Sequence, residues 1–395
     1  MINRRITILG PEGTNVYVIF QYLIFCVISW FTLFNITNEI GLDIQNVLVR
    51  QITFTLLGLT VFFLFTYVSI SNIFALSNVL MISSTILLIG VLFTAESLGA
   101  RRRYDLGVFD FQPSEFTKIA FVIFLAAVIS QKRNNLLALA LIFSNVLLVY
   151  SQPDLGTTII LLSVVLGMYF ISDVKVKTLF AFLITMFLSF FILLELDLVS
   201  SFQVQRITDF YSAEIQDFSQ KQSRLQISLG GFLGDSLSNT ENISIFVPVQ
   251  TTDFIFSSFA KSYGFIGCIV LLFLWIFFGF RVYSLIITTD SEFEKFLLAG
   301  FMILLYLQIL INIATVVGLI PLTGDPFPLL SLGGSSIIAV SSIFGIINRI
   351  FIENNQVVYF FKHTSLLYMK VFNNNCLHGG FNVWYFQKIE NSKKK

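Results

Sequence analysis

Ten stretches of about 20 apolar residues recur along this chain, and that repetition constrains the fold more than any other feature of it. They lie at roughly 16–36, 52–70, 74–95, 116–130, 135–151, 156–172, 178–198, 264–282, 296–318 and 329–350. A helix needs about 20 residues to cross the hydrocarbon core, where it satisfies its own backbone hydrogen bonds. The pattern predicts an all-α polytopic membrane protein of about ten transmembrane helices, with a large external loop, about 199–263, between the seventh and eighth. Residues 1–350 read as one integral domain and 351–395 as an inner polar C-terminal tail. Composition agrees, since 56% of the 395 residues are hydrophobic and only 12% are charged. A net charge of +1 offers no global field for nucleic acid, so none is expected as a partner. Cys26, Cys268 and Cys376 are too scattered for a disulfide framework or a metal site. The first apolar run lacks a small-residue cleavage pattern and reads as a retained helix.

Placing the N-terminus inside puts Arg4, Arg5, Lys132, Arg133, Lys175, Lys177, Arg281, Lys295, Arg349 and the terminal lysines on the inner face, as the positive-inside rule prefers. Arg101, Arg102, Arg103, Arg206, Lys221 and Arg224 then fall outside, against the rule. The polar motifs gather on the same outer side. They are the Gly99–Gly107 stretch, Gln112-Pro-Ser-Glu115, Gln152-Pro-Asp-Leu-Gly156, the long loop with Asp253 near its end, and the segment Gly318–Ser336. Carboxylates, prolines and glycines converging on one face of a bundle suit a site for a membrane-borne substrate.

Asp253 is the candidate general base. It is flanked by Phe254, Ile255 and Phe256, and partial desolvation there would raise its pKa toward a useful value. The outer arginines suit an anionic group of a bound substrate, or equally the anionic headgroups of lipid. Glu115 and Lys118, three apart behind Pro113, read as an ion pair with Gln112 or Ser114 capping the helix. Asp154 precedes an apolar run and suits a helix N-terminus. Ser331, Ser335 and Ser336 are candidate donors to phosphate or sugar, with close helix packing as the other reading. Asp209, Asp235 and Glu241 read as solvated charges.

The motifs FQPSEFTK, QPDLGTT, TTDFIFS with GFIG, and GLIPLTGDPFPLLSLGGSS resemble, in order and spacing, those of the SEDS family, the FtsW, RodA and SpoVE proteins of peptidoglycan synthesis. That resemblance spans roughly residues 15–350 and implies a ten-helix glycosyltransferase that polymerises lipid II into glycan strands beside a class B penicillin-binding protein and other division or elongation proteins. The family's essential aspartate falls on Asp253. The substrate-binding set it suggests is Arg101, Arg102, Arg103, Gln112, Glu115, Lys118, Asp154, Arg206, Ser331, Ser335 and Ser336. No metal-ligand cluster is visible, although Mg²⁺ or Mn²⁺ bridging Asp253 and pyrophosphate is compatible with the family chemistry.

Three departures from the family pattern fall at four positions. Arg103 stands where the family carries a tryptophan, Lys261 and Ser262 where it carries two glutamates, and Leu332 where it carries a tyrosine. Lys261, if close to Asp253, would lower its pKa. A lipid II flippase would use the same cavity and arginines without needing a base, and a division scaffold would need no single carboxylate. The wealth of Phe, Ile and Asn suggests an AT-rich genome, of a bacterium or of a walled plastid such as a cyanelle.

Overall fold

The structure, a computed structural model, describes residues 16–41, 44–94, 101–105, 107, 110–132, 136–172, 184, 218–235 and 247–375. The described elements run α1 (Val16–Ile40), α2 (Ile44–Tyr67), α3 (Ile70–Val91), β1 (Tyr104–Asp105), β2 (Asp110–Phe111), α4 (Pro113–Ser130), α5 (Leu136–Ser151), α6 (Leu155–Ile171), α7 (Phe218–Gly230), α8 (Ile255–Thr288), α9 (Glu292–Val316) and α10 (Gly334–Asn375). Seven described segments are long and apolar enough to cross a membrane: Val16–Asn38, Gln45–Tyr67, Ile70–Val91, Pro113–Ser130, Ile255–Thr288, Glu292–Val316 and Gly334–Asn354. Leu137–Ser151 and Leu155–Ile171 are apolar but shorter. The seventh expected segment, 178–198, lies, but for residue 184, outside the described residues, as does Arg206.

The helix α4 is the axis of the bundle. It is buried on nearly every side and packs against α3, α5, α6 and α9. A helix apolar all round belongs inside other helices. Lipid takes the outer faces, where Phe20, Leu64, Phe273 and Phe280 stand exposed. Between α1, α2, α8 and α10 an aromatic core closes the bundle, with Phe25 stacked on Trp275 at 4.3 Å and Phe278 on Phe344 at 4.6 Å between ring centroids. The chain divides into two compact units, Met1–Ile350 and Phe351–Lys395, and every residue of the site lies in the first.

Three local features position that site. Between α3 and α4 the chain forms a small antiparallel hairpin, pairing Tyr104 with Phe111 and Asp105 with Asp110, where only loop was expected. The Asp105 carboxylate closes its turn by accepting the Gly107 amide at 2.7 Å. At the start of α4, Pro113 needs no donor in the first turn, but the expected side-chain cap does not form. Gln112 holds the N-cap position and turns its amide to Ser114 Oγ at 3.0 Å, while its backbone carbonyl takes the Glu115 amide at 3.2 Å. Asp154 does cap α6, accepting the Thr157 amide at 3.2 Å.

The third feature corrects the expected loop boundary. Helix α8 begins at Ile255 rather than near 264, and Gly264 breaks it at φ 64° and ψ −168°. Residues 255–262 are buried within the protein, so this first segment of α8 faces other protein rather than lipid. A side chain on either Gly234 or Gly264 would collide with the other's backbone nitrogen. That close approach lets Phe265 and Ile266 donate to the Gly231 and Phe232 carbonyls at 3.0 and 3.2 Å. The segment 218–235 is thereby zipped onto the kink.

Candidate active site

Asp253 stands one residue before Phe254, the N-cap of α8, in a turn opened by Val249 at φ 56°. The Asp253 amide donates to the Val249 carbonyl at 3.1 Å, and the side chain is half-buried. It faces a cleft of about 290 Å³ whose walls come from five places in the chain. Arg50 and Phe54 enter from α2, Arg103 and Asp110 from the hairpin, and Gln112 and Glu115 from the start of α4. The loop before α10 supplies Gly324 and Pro326, and the start of α10 supplies Ser335 and Ser336. A side chain on Gly324 would begin 3.6 Å from Asp253 Oδ2 and 3.9 Å from Arg102 Nη1, so its absence keeps the space beside the carboxylate open.

The predicted residues divide into those on the cleft and those behind it. Arg103, Gln112, Glu115, Ser335, Ser336 and Asp253 line the cleft. Arg101 turns away to the Leu92 carbonyl at 3.3 Å. Ser335 accepts the Gln112 amide at 3.0 Å and donates to the Asp110 carbonyl at 2.9 Å, fastening the hairpin to α10. Ser331 accepts the Phe327 amide at 2.9 Å and donates to the Thr252 carbonyl at 2.6 Å, so it braces the turn that carries Asp253. Tyr104, next to the position of the family's tryptophan, donates to the Leu87 carbonyl at 2.9 Å and does not line the cleft.

Behind the wall lies a buried charge network. Lys118 Nζ meets Glu115 Oε1 at 2.8 Å with both side chains no more than 3% exposed. Ser114 links this turn to Asp154 Oδ2 at 3.3 Å. Asp325, which sequence reasoning passed over, completes it: its side chain is buried, and its Oδ1 accepts from Thr157 Oγ1 at 3.4 Å. Its Oδ2 fills the space where a side chain on Gly156 would sit. Burial, and next the negative charge of Asp154, push the Asp325 carboxyl well above the usual carboxylate range; Lys118 opposes, while Glu115 and Asp253 add to the rise. Arg50 was also missed, because it lies just before the apolar run, 52–70, on which the second helix was drawn, and the helix instead starts at Ile44.

The Lys261 departure finds its explanation here. Its ammonium lies 3.7 Å from Asp235 Oδ2, with side-chain exposures of 4% and 16%, so Asp235 is a paired and largely buried charge rather than a solvated one. The pair spans the Gly264 kink, beside the bond from the Asp235 amide to the Lys261 carbonyl at 3.0 Å. Reversing either charge alone leaves two like charges at a poorly hydrated contact, and Lys261→Asp is expected to cost about 1–3 kcal/mol. The exchange Lys261→Asp with Asp235→Lys recovers most of that loss. Thermal unfolding of the detergent-solubilised variants checks it, and equal losses in the single and double variants would exclude the pairing.

Comparison with known proteins places this geometry. The profile described as Cell cycle protein, of the FtsW, RodA and SpoVE type, matches residues 14–356. The peptidoglycan glycosyltransferase MrdB of Escherichia coli K12 is 34% identical over 277 residues, covering 67% of this chain and 75% of that one. Stage V sporulation protein E of Bacillus subtilis strain 168 is 30% identical over 313 residues, covering 75% of this chain and 85% of that one. Among solved structures, a chain from a study of polymerization and crosslinking by a peptidoglycan synthase complex superposes with a TM-score of 0.71 at 25% identity, covering 86% of this chain and 98% of that one. The rod shape determining protein RodA of Thermus thermophilus shares the fold at a TM-score of 0.63 and 24% identity, with 87% and 97% covered.

Proposed function

The chain belongs to the FtsW/RodA/SpoVE family of cell cycle proteins, and we propose that it is a peptidoglycan glycosyltransferase that polymerises lipid II with Asp253 as general base. The observation that carries this reading is a single cleft at the end of a spanning bundle in which the Asp253 carboxylate shares the walls with the guanidinium groups of Arg50 and Arg103. Asp253 takes the proton from a sugar hydroxyl of the acceptor lipid as that oxygen attacks the anomeric carbon of the donor chain. The bond to the polyprenyl pyrophosphate breaks, and the departing group carries the electron pair. Its charge is met by Arg50 and Arg103, with Arg102 beside Gly324, since guanidinium groups pair phosphate oxygens in a fork. Ser336 lines the same cleft, within reach of a sugar or phosphate bound there, while the Ser335 hydroxyl is held by the Asp110 carbonyl and the Gln112 amide.

Among the described residues no group of three or more His, Cys, Asp or Glu side chains is placed to hold a metal ion. The likeness to a chain from a synthase complex supports a class B penicillin-binding protein as the crosslinking partner. The protein is a multi-pass membrane protein. Its chemistry belongs to a membrane bordering a peptidoglycan wall, the plasma membrane of a bacterium or the inner membrane of a walled plastid.

The test is glycan-strand formation from purified lipid II by the full chain, reconstituted in vesicles with the transpeptidase from the same genome. Strands longer than the starting disaccharide are expected. Translocation of lipid II across those vesicles without any strand would turn the reading to a flippase.

A further inference from the structure

Three successive carbonyls lead up to the candidate base, and each accepts a donor from the same region of the chain. The Thr251 carbonyl takes the Leu332 amide at 2.9 Å, the Thr252 carbonyl takes Ser331 Oγ at 2.6 Å, and the Asp253 carbonyl takes Asn312 Nδ2 at 2.8 Å. Asn312 lies on α9, one turn before its end, and is 1% exposed. Its second N–H goes to the Asp325 carbonyl at 2.9 Å. One amide head therefore joins the residue that carries the base to the loop that carries Gly324, whose missing side chain leaves room beside the Asp253 carboxylate.

The orientation of this amide is dictated by its surroundings, because two carbonyl acceptors face one end and an oxygen there would be repelled by both. The other end, Asn312 Oδ1, is buried without a hydrogen-bond partner among the described residues. An unpaired buried acceptor costs free energy, and a leucine of similar size would avoid that cost. What leucine lacks is the pair of donors. The asparagine thus accepts a local penalty to fix the spacing between two neighbouring loops that both line the cleft.

We propose that Asn312 is the positioning residue of Asp253, setting where the carboxylate stands relative to the Gly324 loop and so to a bound sugar hydroxyl. This rests on the glycosyltransferase reading above. A displacement on the order of 1 Å of a catalytic group lowers turnover by about 100-fold. Asn312 touches neither substrate nor the reacting atoms, so its loss lowers kcat and leaves KM in place.

The experiment uses the full chain with its transpeptidase and follows strand formation from lipid II for wild type, Asn312→Leu and Asn312→Asp between pH 5.5 and 8.5. Asn312→Leu is expected to unfold below the wild-type temperature, because the Asp253 and Asp325 carbonyls lose their donors, with kcat lowered about 100-fold and KM unchanged. Asn312→Asp distinguishes positioning from bulk structure. Its protonated form keeps one donor for the two carbonyls and its ionised form keeps none, so its rate relative to wild type falls as pH rises. If Asn312→Leu does not fold, that pH-dependent ratio still decides. Variants that polymerise at the wild-type rate, or an Asn312→Asp ratio flat with pH, overturn the proposal. A wild type that makes no strand at any pH overturns the glycosyltransferase reading itself, and this one with it.

Discussion

Asp253→Asn is expected to lower glycan polymerisation by about 10²–10⁴-fold, the range a positioned general base contributes. The substitution keeps the size of the side chain and every backbone bond of the turn. The Asp253 amide still donates to Val249, and its carbonyl still accepts from Asn312. Arg50 and Arg103 are untouched, so lipid binding persists and the loss falls on kcat rather than KM. A variant that folds, binds lipid II and polymerises at the wild-type rate would remove Asp253 from the chemistry. A variant that binds poorly but turns over normally would make it a substrate anchor instead.

What was readable in the sequence and what was not follow from the same physics. Apolar runs report that a helix crosses the membrane, but not which way it is turned or what it meets. Asp253 and Asp154 were legible because each sits at a junction between a polar turn and an apolar run, where a carboxylate has either a helix end or a cavity to face. Glu115 and Lys118 were legible because three residues is one turn, and the pair needs nothing beyond its own helix. Asp325 was not. Between Gly324 and Pro326 an aspartate reads as a turn former, and only the fold brings it to Gly156 and Thr157. Asp235 and Lys261 were misread singly, as a solvated charge and a disturbing cation, because each is explained by the other across the kink. Asn312 carries no motif at all. Its two acceptors lie 59 and 13 residues away, in loops that only the assembled bundle brings together.

Lys118→Met is expected to be the most destabilising single change in the bundle, about 3–5 kcal/mol, the range measured when one partner of a buried ion pair is removed. Lys118 is the cation in a cluster with three buried carboxylates, those of Glu115, Asp154 and Asp325, and α4 is packed on all sides around it. Without it Glu115 Oε1 loses its partner, and Glu115 Oε2 already has none among the described residues. The Asp325 carboxyl loses the charge that opposed its rise. A carboxyl raised in the folded state binds more protons folded than unfolded. Its stabilising contribution is therefore complete below the ordinary carboxylate range, and is lost as pH climbs through the folded value. The Lys118→Met protein should accordingly unfold at a lower temperature near neutral pH and recover part of the loss on mild acidification. Lys118→Met with Glu115→Gln should recover more of it at every pH, because neutralising both partners removes the uncompensated charge while α4 keeps its packing. Thermal unfolding of the three proteins in detergent across pH 5–8 separates these outcomes. Wild-type stability in Lys118→Met at neutral pH would mean that water reaches the cluster, and with it that the wall behind the cleft is not the dry, fixed support on which Asp253 and the Gly324 loop are built.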